Sequence, residues 1–140
     1  MAKRGISLDR ILRVRTLQLG LVQAAEMQAH EKVASEDALR SRIAQLVANV
    51  APEEESAEAF SFIAAAHFRD RLHQSAAAAD ARLRTATDNL TRASDATREA
   101  RRDQSAIEKL IARQDQAAVV KAMRALEEAP PTRRNRHDPC

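Results

Sequence analysis

Two pairs of side chains within the helices have types and spacings that could bind a metal or act in catalysis. Glu26 and His30 are four residues apart, which places both on one face of a helix. Ferritin-like metal sites instead use Glu and His three residues apart on two helices, with further carboxylates, and no such set is visible. His67 and His73 have no Ser or Cys partner that would form a nucleophile motif. We therefore expect no metal site and no enzymatic activity.

The sequence also offers no pattern for a cofactor site. It contains only two glycines, too few for a phosphate-binding glycine loop. An acidic cluster at 53–58 follows Pro52, and carboxylates there suit the positive end of a helix dipole better than they suit a metal. The single Cys140 is the last residue and cannot belong to a disulfide framework within the chain. We expect no cofactor.

The composition indicates which elements could carry a function. The chain has 140 residues, with three Phe, no Trp and no Tyr, so the aromatic residues that fill much of a globular core are nearly absent. Charged residues make up 31% of the sequence, and alanine is the most frequent apolar residue. This composition is typical of long helices that are exposed along much of their length.

An N-cap residue and a proline define the bounds of the first helix. Ser7 is a plausible N-cap, and Pro52 lies in the only internal break, where a proline suits the first turn of a new helix. We therefore predict a first helix at residues 7–50 and a turn at residues 51–56.

The second helix is predicted to be the longer one. It extends over residues 57–129, where Pro130 and Pro131 must end it because proline restricts the backbone at and before itself. The chain is then a single domain, residues 1–129, followed by a disordered tail at residues 130–140.

A heptad repeat runs through the second helix. One row of positions seven apart consists of Phe62, Arg69, Ala76, Leu83, Leu90, Thr97, Gln104, Ile111 and Ala118. The other row consists of Ala65, Leu72, Ala79, Ala86, Ala93, Ala100, Ile107 and Gln114. Such a repeat predicts a coiled coil, and its alanines predict a close helix approach.

The first helix is the obvious partner, because a short turn forces neighbouring helices to run antiparallel. Its apolar residues form one run beside the turn, Leu39, Ile43, Leu46 and Val50, and another at the far end, Val14, Leu17 and Leu21. The two runs differ by one residue in frame, which a straight helix or one stutter would explain. The predicted fold class is all-α, a long antiparallel two-helix coiled coil.

Helix length predicts that the second helix overhangs the first. Folding back from the turn, a first helix of this length would start opposite roughly Ala96, leaving everything beyond without an intramolecular partner. The uncovered apolar positions would be Ile107, Leu110, Ile111, Val119, Val120, Met123 and Leu126. An uncovered apolar stripe is a binding surface for a second copy or for another protein.

Charge and hydropathy bear on partners and location. The 23 basic residues exceed the 20 acidic ones only slightly, acidic residues are interleaved with them, and no Trp or Tyr accompanies the arginines for base stacking. We therefore expect no direct binding of nucleic acid. No run approaches the roughly 18 apolar residues of a membrane span, and arginines interrupt the N-terminal apolar stretch. These features predict no transmembrane segment, no signal peptide and a cytoplasmic location.

Two short segments and the overall layout resemble a known family. The apolar segment "FSFI" opens the second helix, and "IEKLIARQ" at residues 107–114 lies far along it. With about 140 residues in two helices, of which the second is longer, the chain resembles the flagellar FliJ proteins and the related YscO-like stalk proteins of type III secretion.

The resemblance implies a function and a set of contacts. Proteins of this family are non-enzymatic coiled coils whose terminal end enters the hexameric export ATPase, and they also contact a membrane export gate protein and export chaperones. Such a protein would lie in the cytoplasm, peripherally at the membrane. Carried onto this chain, the expected partner-binding residues are Leu12, Arg13, Leu17, Ile107, Lys109, Leu110, Ile111 and Arg113.

Two other interpretations stay open from the sequence. One is a structural or adaptor coiled coil that self-associates through its C-terminal overhang, which would appear as a weak homodimer. The other is a basic helical protein of the nucleoid type, whose affinity for nucleic acid would fall steeply with salt.

Overall fold

A computed structural model describes the backbone of residues 2–50 and 59–130 and the side chains of residues 7–50 and 62–130. Two helices account for nearly all of this part, α1 (Ala2–Asn49) and α2 (Ala59–Glu127), and it contains no strand. The helices pack against each other along their lengths. The predicted all-α helical hairpin is therefore confirmed.

The helix ends differ slightly from the predicted ones. Because α1 begins at Ala2, Ser7 lies inside the helix and is not its N-cap. At the other end α2 finishes at Glu127, two residues before the predicted end and ahead of both prolines. The predicted turn at residues 51–56 and nearly all of the predicted tail at residues 130–140 lie outside the described residues.

The heptad rows predicted for α2 form its contact with α1. From Ala65 to Gln114, every position in the two rows is buried or half-buried. Ala79 is fully buried at 0% exposure and Ala86 is buried at 5%, as a close approach of two helices requires. Phe62 and Ala118, the first and last predicted positions of one row, are exposed and lie outside this seam.

The seam of α1 uses a different frame from the predicted one. Its buried and half-buried residues recur with alternating spacings of four and three, with Arg40 in the one exposed place. They are Leu8, Leu12, Arg15, Leu19, Val22, Glu26, Ala29, Val33, Glu36, Ile43, Val47 and Val50, and Gln23, next to Val22, is half-buried outside this pattern. This heptad pattern is unbroken, so no stutter is needed.

The two apolar runs predicted to pack on α2 are therefore wholly or partly wrong. Val14, Leu17 and Leu21 are 53%, 70% and 72% exposed and face away from the seam. Of the run beside the turn, Ile43 and Val50 are half-buried, whereas the leucines between and before them are exposed. The reason is that α1 has apolar residues on two faces, and only one of them can contact α2.

Two ion pairs across the helices fix their register. Arg40 Nε lies 2.6 Å from Asp80 Oδ1, and Arg15 Nη1 lies 2.8 Å from Asp103 Oδ2. The pairing runs in opposite directions along the two helices, so the hairpin is antiparallel. Leu8 lies two turns before Arg15, which places it beside Ile111.

This register makes the overhang of α2 shorter than predicted. Continuing it to Ala2 places the start of α1 level with about Ala118 rather than Ala96. The difference arises at the turn, because α1 ends opposite roughly residue 70 and the first ten or so residues of α2 extend past it. The segment of α2 without α1 beside it is therefore about nine residues long, ending at Glu127.

The seam predicts how the hairpin responds to larger side chains. We expect Ala86→Leu to destabilise the fold by about 1–3 kcal/mol, because overpacking forces the two helices apart. Ala77→Leu is the matched control, since Ala77 is exposed on the same helix. Urea unfolding followed by circular dichroism measures both. A stability of Ala86→Leu equal to that of the control would contradict the close approach.

Candidate partner-binding site

The residues that first suggested chemistry do not assemble into a reactive site. His30 is exposed, whereas Glu26 is half-buried and directed toward α2. His67 and His73 are exposed on α2. Among the described residues, no group of three or more His, Cys, Asp or Glu side chains is placed to hold a metal ion.

Glu26 instead takes part in the contact between the helices. The hydroxyl of Thr97, a residue only 3% exposed, is the main cause that lowers the pKa of the Glu26 carboxyl. Burial opposes this shift, while a hydrogen bond from Ser94 and the charges of His30 and Arg101 add to it. The ionised carboxylate is thus stabilised by groups from the opposite helix.

A second carboxylate in the seam is paired within its own helix. The Glu36 side chain is 8% exposed, and Lys32 Nζ lies 2.8 Å from its Oε1. The hydrogen bond from Lys32 is the main cause that lowers the pKa of Glu36, with the charge of Arg82 adding to it. Lys32 thus pairs with one oxygen of Glu36, whereas the other, Oε2, is buried without a hydrogen-bond partner in the described part of the chain.

The surface that stands out lies on α2 beyond the start of α1. Four apolar residues there, which we call the C-terminal stripe, are exposed by 48% to 76%: Val119, Val120, Met123 and Leu126. Their spacings of three and four residues keep them on one side of the helix. An exposed apolar group at a helix end with no neighbouring helix is a surface suited to a protein partner.

The seam does not continue into this segment. Its next positions after Ile111 hold small or polar residues, namely Gln114, Ala118, Lys121 and Ala125. The apolar residues of the C-terminal stripe lie on a different face of α2. The stripe is therefore not an unfinished part of the contact with α1.

The structure separates the predicted binding residues of α2 into two groups. Ile107 and Ile111 are half-buried in the seam, so the expectation that they lie beyond the reach of α1 is wrong. Leu110 is 46% exposed, and Lys109 and Arg113 are exposed beside it. These three can meet a partner without disturbing the hairpin.

The predicted binding residues of α1 do not share one face. Leu12 is half-buried in the seam, and Arg13 is exposed. Leu17 is 70% exposed on the side of α1 that faces away from α2. These residues lie near the same end of the hairpin as the C-terminal stripe, but they do not form a joint surface with it.

Leu110 and the C-terminal stripe are connected along α2. Leu110, Arg113, Ala117 and Val120 follow one another at spacings of three, four and three residues, so they share a face. Met123 continues this face one turn further. This line passes from Leu110 and Arg113 to Val120, where it meets the C-terminal stripe, whereas Val119 and Leu126 lie on nearly the opposite side of α2 from Leu110.

Comparisons with known protein families, curated proteins and solved structures find no match to this chain. The surface is therefore interpreted from its own geometry. None of the helices in the described part of the chain combines the length and apolar character that crossing a bilayer would need.

The sequence contained the signal for the C-terminal stripe, since its residues appear among the apolar positions of residues 105–128. The predicted contact residues were others, Lys109, Leu110 and Arg113, because they match the segment that resembles the export proteins. At the other end of α2, Phe62, Ile63 and Phe68 are also exposed by 50% to 64%. That cluster adjoins residues outside the described part, so no site is assigned to it.

The two seam carboxylates predict how stability depends on pH. Their pKa values are lowered on folding, so their contribution is present above the unfolded pKa of 4.5 and is lost as the pH falls through the folded values. We expect the free energy of unfolding to fall between about pH 5 and pH 3.

Glu26→Gln is the variant that tests this assignment. It cannot ionise at that position, so its stability should depend less on pH than that of the wild type in the same range. Urea unfolding at several pH values measures the difference. Identical pH profiles for the two proteins would show that Glu26 does not contribute.

Proposed function

We propose that this chain is a non-enzymatic stalk of the flagellar or type III protein export apparatus. In this role it binds the hexameric export ATPase and couples it to the membrane export gate protein and to export chaperones. The observation that carries the proposal is the uncovered apolar C-terminal stripe at the end of a rigid antiparallel hairpin. A long hairpin with an apolar surface at this tip has the shape required of a part that is inserted into a ring.

The chemistry of the tip supports binding to a protein partner. Each residue of the C-terminal stripe is roughly half to three-quarters exposed, so covering it would remove apolar surface from water without unfolding the hairpin. Lys109, Arg113, Lys121 and Arg124 place cations along the same segment. Glu108, Asp115, Glu127 and Glu128 place as many anions there, so the apolar strip suits a groove that is apolar at its centre and carries both signs of charge at its rim.

The proposal also includes a location. A stalk that connects an ATPase ring to a membrane gate would act in the cytoplasm, peripherally at the membrane. The contacts with the gate protein and the chaperones have no separate surface assigned to them in the described part of the chain.

A second candidate function rests on the same observation. A structural or adaptor coiled coil could use the C-terminal stripe to bind a second copy of this chain instead of a ring. The two functions differ in the partner that covers Val119 and Met123, so one pair of substitutions distinguishes them.

Val119→Asp combined with Met123→Asp tests the export function. We expect this variant to lose binding to the hexameric export ATPase, because each carboxylate would have to be buried without a partner. Thermal melting should change little, since both side chains are exposed and lie beyond α1. Biolayer interferometry with the purified ATPase measures the binding.

Leu46→Asp is the matched control, because Leu46 is 51% exposed on α1 near the opposite end of the hairpin. It should bind the ATPase like the wild type. Absence of any wild-type binding to the ATPase, together with a dimer that dissociates in the Val119→Asp, Met123→Asp variant, would favour the adaptor function instead.

A further inference from the structure

An apolar stripe on the outward face of α1 has no role in the hairpin. Val14, Leu17 and Leu21 point away from α2 and are 53%, 70% and 72% exposed, and Ala24 continues the same line. On the opposite face the same segment packs Leu12, Leu19 and Val22 against α2, so α1 is apolar on two sides here. A helix that is apolar on both sides is normally covered on both. We call Val14, Leu17, Leu21 and Ala24 the outer stripe.

Gly20 beside the outer stripe also has no explanation within the hairpin. Glycine weakens a helix interior, yet a Cβ atom added at Gly20 would meet nothing within 4 Å. The backbone of α1 is therefore open to close approach at this point. A second helix packed closely there would explain why this position has no side chain.

We propose that the outer stripe is a homodimer interface, in which α1 of a second copy of this chain packs antiparallel on α1. The inference does not rest on the proposed export function. The first reason for this choice of partner is the spacing of the stripe, which is three, four and three residues in either direction along the chain. A second copy running in the opposite direction therefore matches it layer by layer, with Leu17 beside Leu21 of the other copy and Val14 beside Ala24.

Charge complementarity selects the antiparallel orientation. Arg10 lies on the same line of α1 one turn before Val14, and Glu31 lies on it two turns after Ala24. Antiparallel packing brings Arg10 of each copy within about one turn of Glu31 of the other, whereas parallel packing would place Arg10 beside Arg10. Both copies use the same surface, so the contact has two-fold symmetry and the assembly is complete as a dimer.

The flanking residues fit this arrangement as well. Gly20 of one copy lies near Gly20 of the other, which permits the helices to approach closely. Gln18 faces Gln18, and the exposed side chains of Ile11 and Met27 cover the edges of the stripe. The apolar side chains of both copies would together bury on the order of 1,000 Å² of surface, the lower end of the range for specific and reversible interfaces.

Sedimentation velocity over a range of about 1–200 µM protein tests the interface. We expect a wild-type equilibrium between monomer and dimer, and a dissociation constant at least about tenfold higher for Leu17→Glu. Leu126→Glu is the control, because Leu126 is 76% exposed but lies in the C-terminal stripe. It should dimerise like the wild type. A wild-type protein that stays monomeric over the whole range would overturn the proposal, as would dimers lost in Leu126→Glu but kept in Leu17→Glu.

Gly20→Ala tests whether the region around Gly20 is a dimer interface or an ordinary exposed surface. In dilute solution, where the monomer dominates, alanine should raise the melting temperature because it favours the helix. At high concentration the added methyl groups should weaken the dimer. An increase in melting temperature with unchanged dimerisation would contradict the close approach at Gly20.

Charge reversal tests the orientation. Arg10→Glu alone and Glu31→Arg alone should each weaken the dimer, and the two substitutions together should restore it. Binding of Leu17→Glu to the export ATPase is measured in parallel, so that loss of dimerisation and loss of the export function are seen separately.

Discussion

The close approach of α1 and α2 at the alanines of the seam determines most of the remaining structure. Ala79 and Ala86 let the two backbones come together, but each contributes little apolar surface. A pair of helices also leaves every seam residue open to water at both edges, and no large side chain in the described part is fully buried. The hairpin must therefore obtain its stability from a long series of small contacts. This explains why α1 and α2 remain paired from Leu8 to Val50.

Because alanine layers resemble one another, the apolar seam alone would not distinguish the observed register from one shifted by a heptad. Polar contacts between the two helices distinguish the observed register from the shifted one. Thr97 Oγ1 lies 3.4 Å from the backbone oxygen of Val22, and Gln104 Nε2 lies 3.2 Å from Thr16 Oγ1. A shift by one heptad would remove both of these contacts between the helices, although Thr97 Oγ1 would keep its 3.1 Å hydrogen bond to the Ala93 backbone oxygen of its own helix. Polar residues in the seam thus specify the alignment, as single polar residues do in other coiled coils.

The sequence predicted α2 well because its heptad repeat has one possible apolar face from Ala65 to Gln114. It predicted α1 poorly, since Leu17 and Leu19 are equally apolar and their spacing does not say which one meets α2. Only the partner helix decides that choice. The overhang was misplaced for a related reason: the register depends on the geometry of the turn, and an ion pair such as Arg15 with Asp103 is not visible as a pattern in the sequence.

The end of the hairpin where the chain begins therefore carries two apolar surfaces on different helices. The outer stripe faces away from α2, and the C-terminal stripe lies on α2 beyond the start of α1, so a partner on one does not have to displace a partner on the other. An antiparallel dimer through α1 would point its two C-terminal stripes in opposite directions along the helix axis. Such a dimer could connect two partner molecules, but it could not bring both tips to the same one. Dimerisation would thus set how many partner molecules one assembly can reach, while each tip keeps its own binding surface.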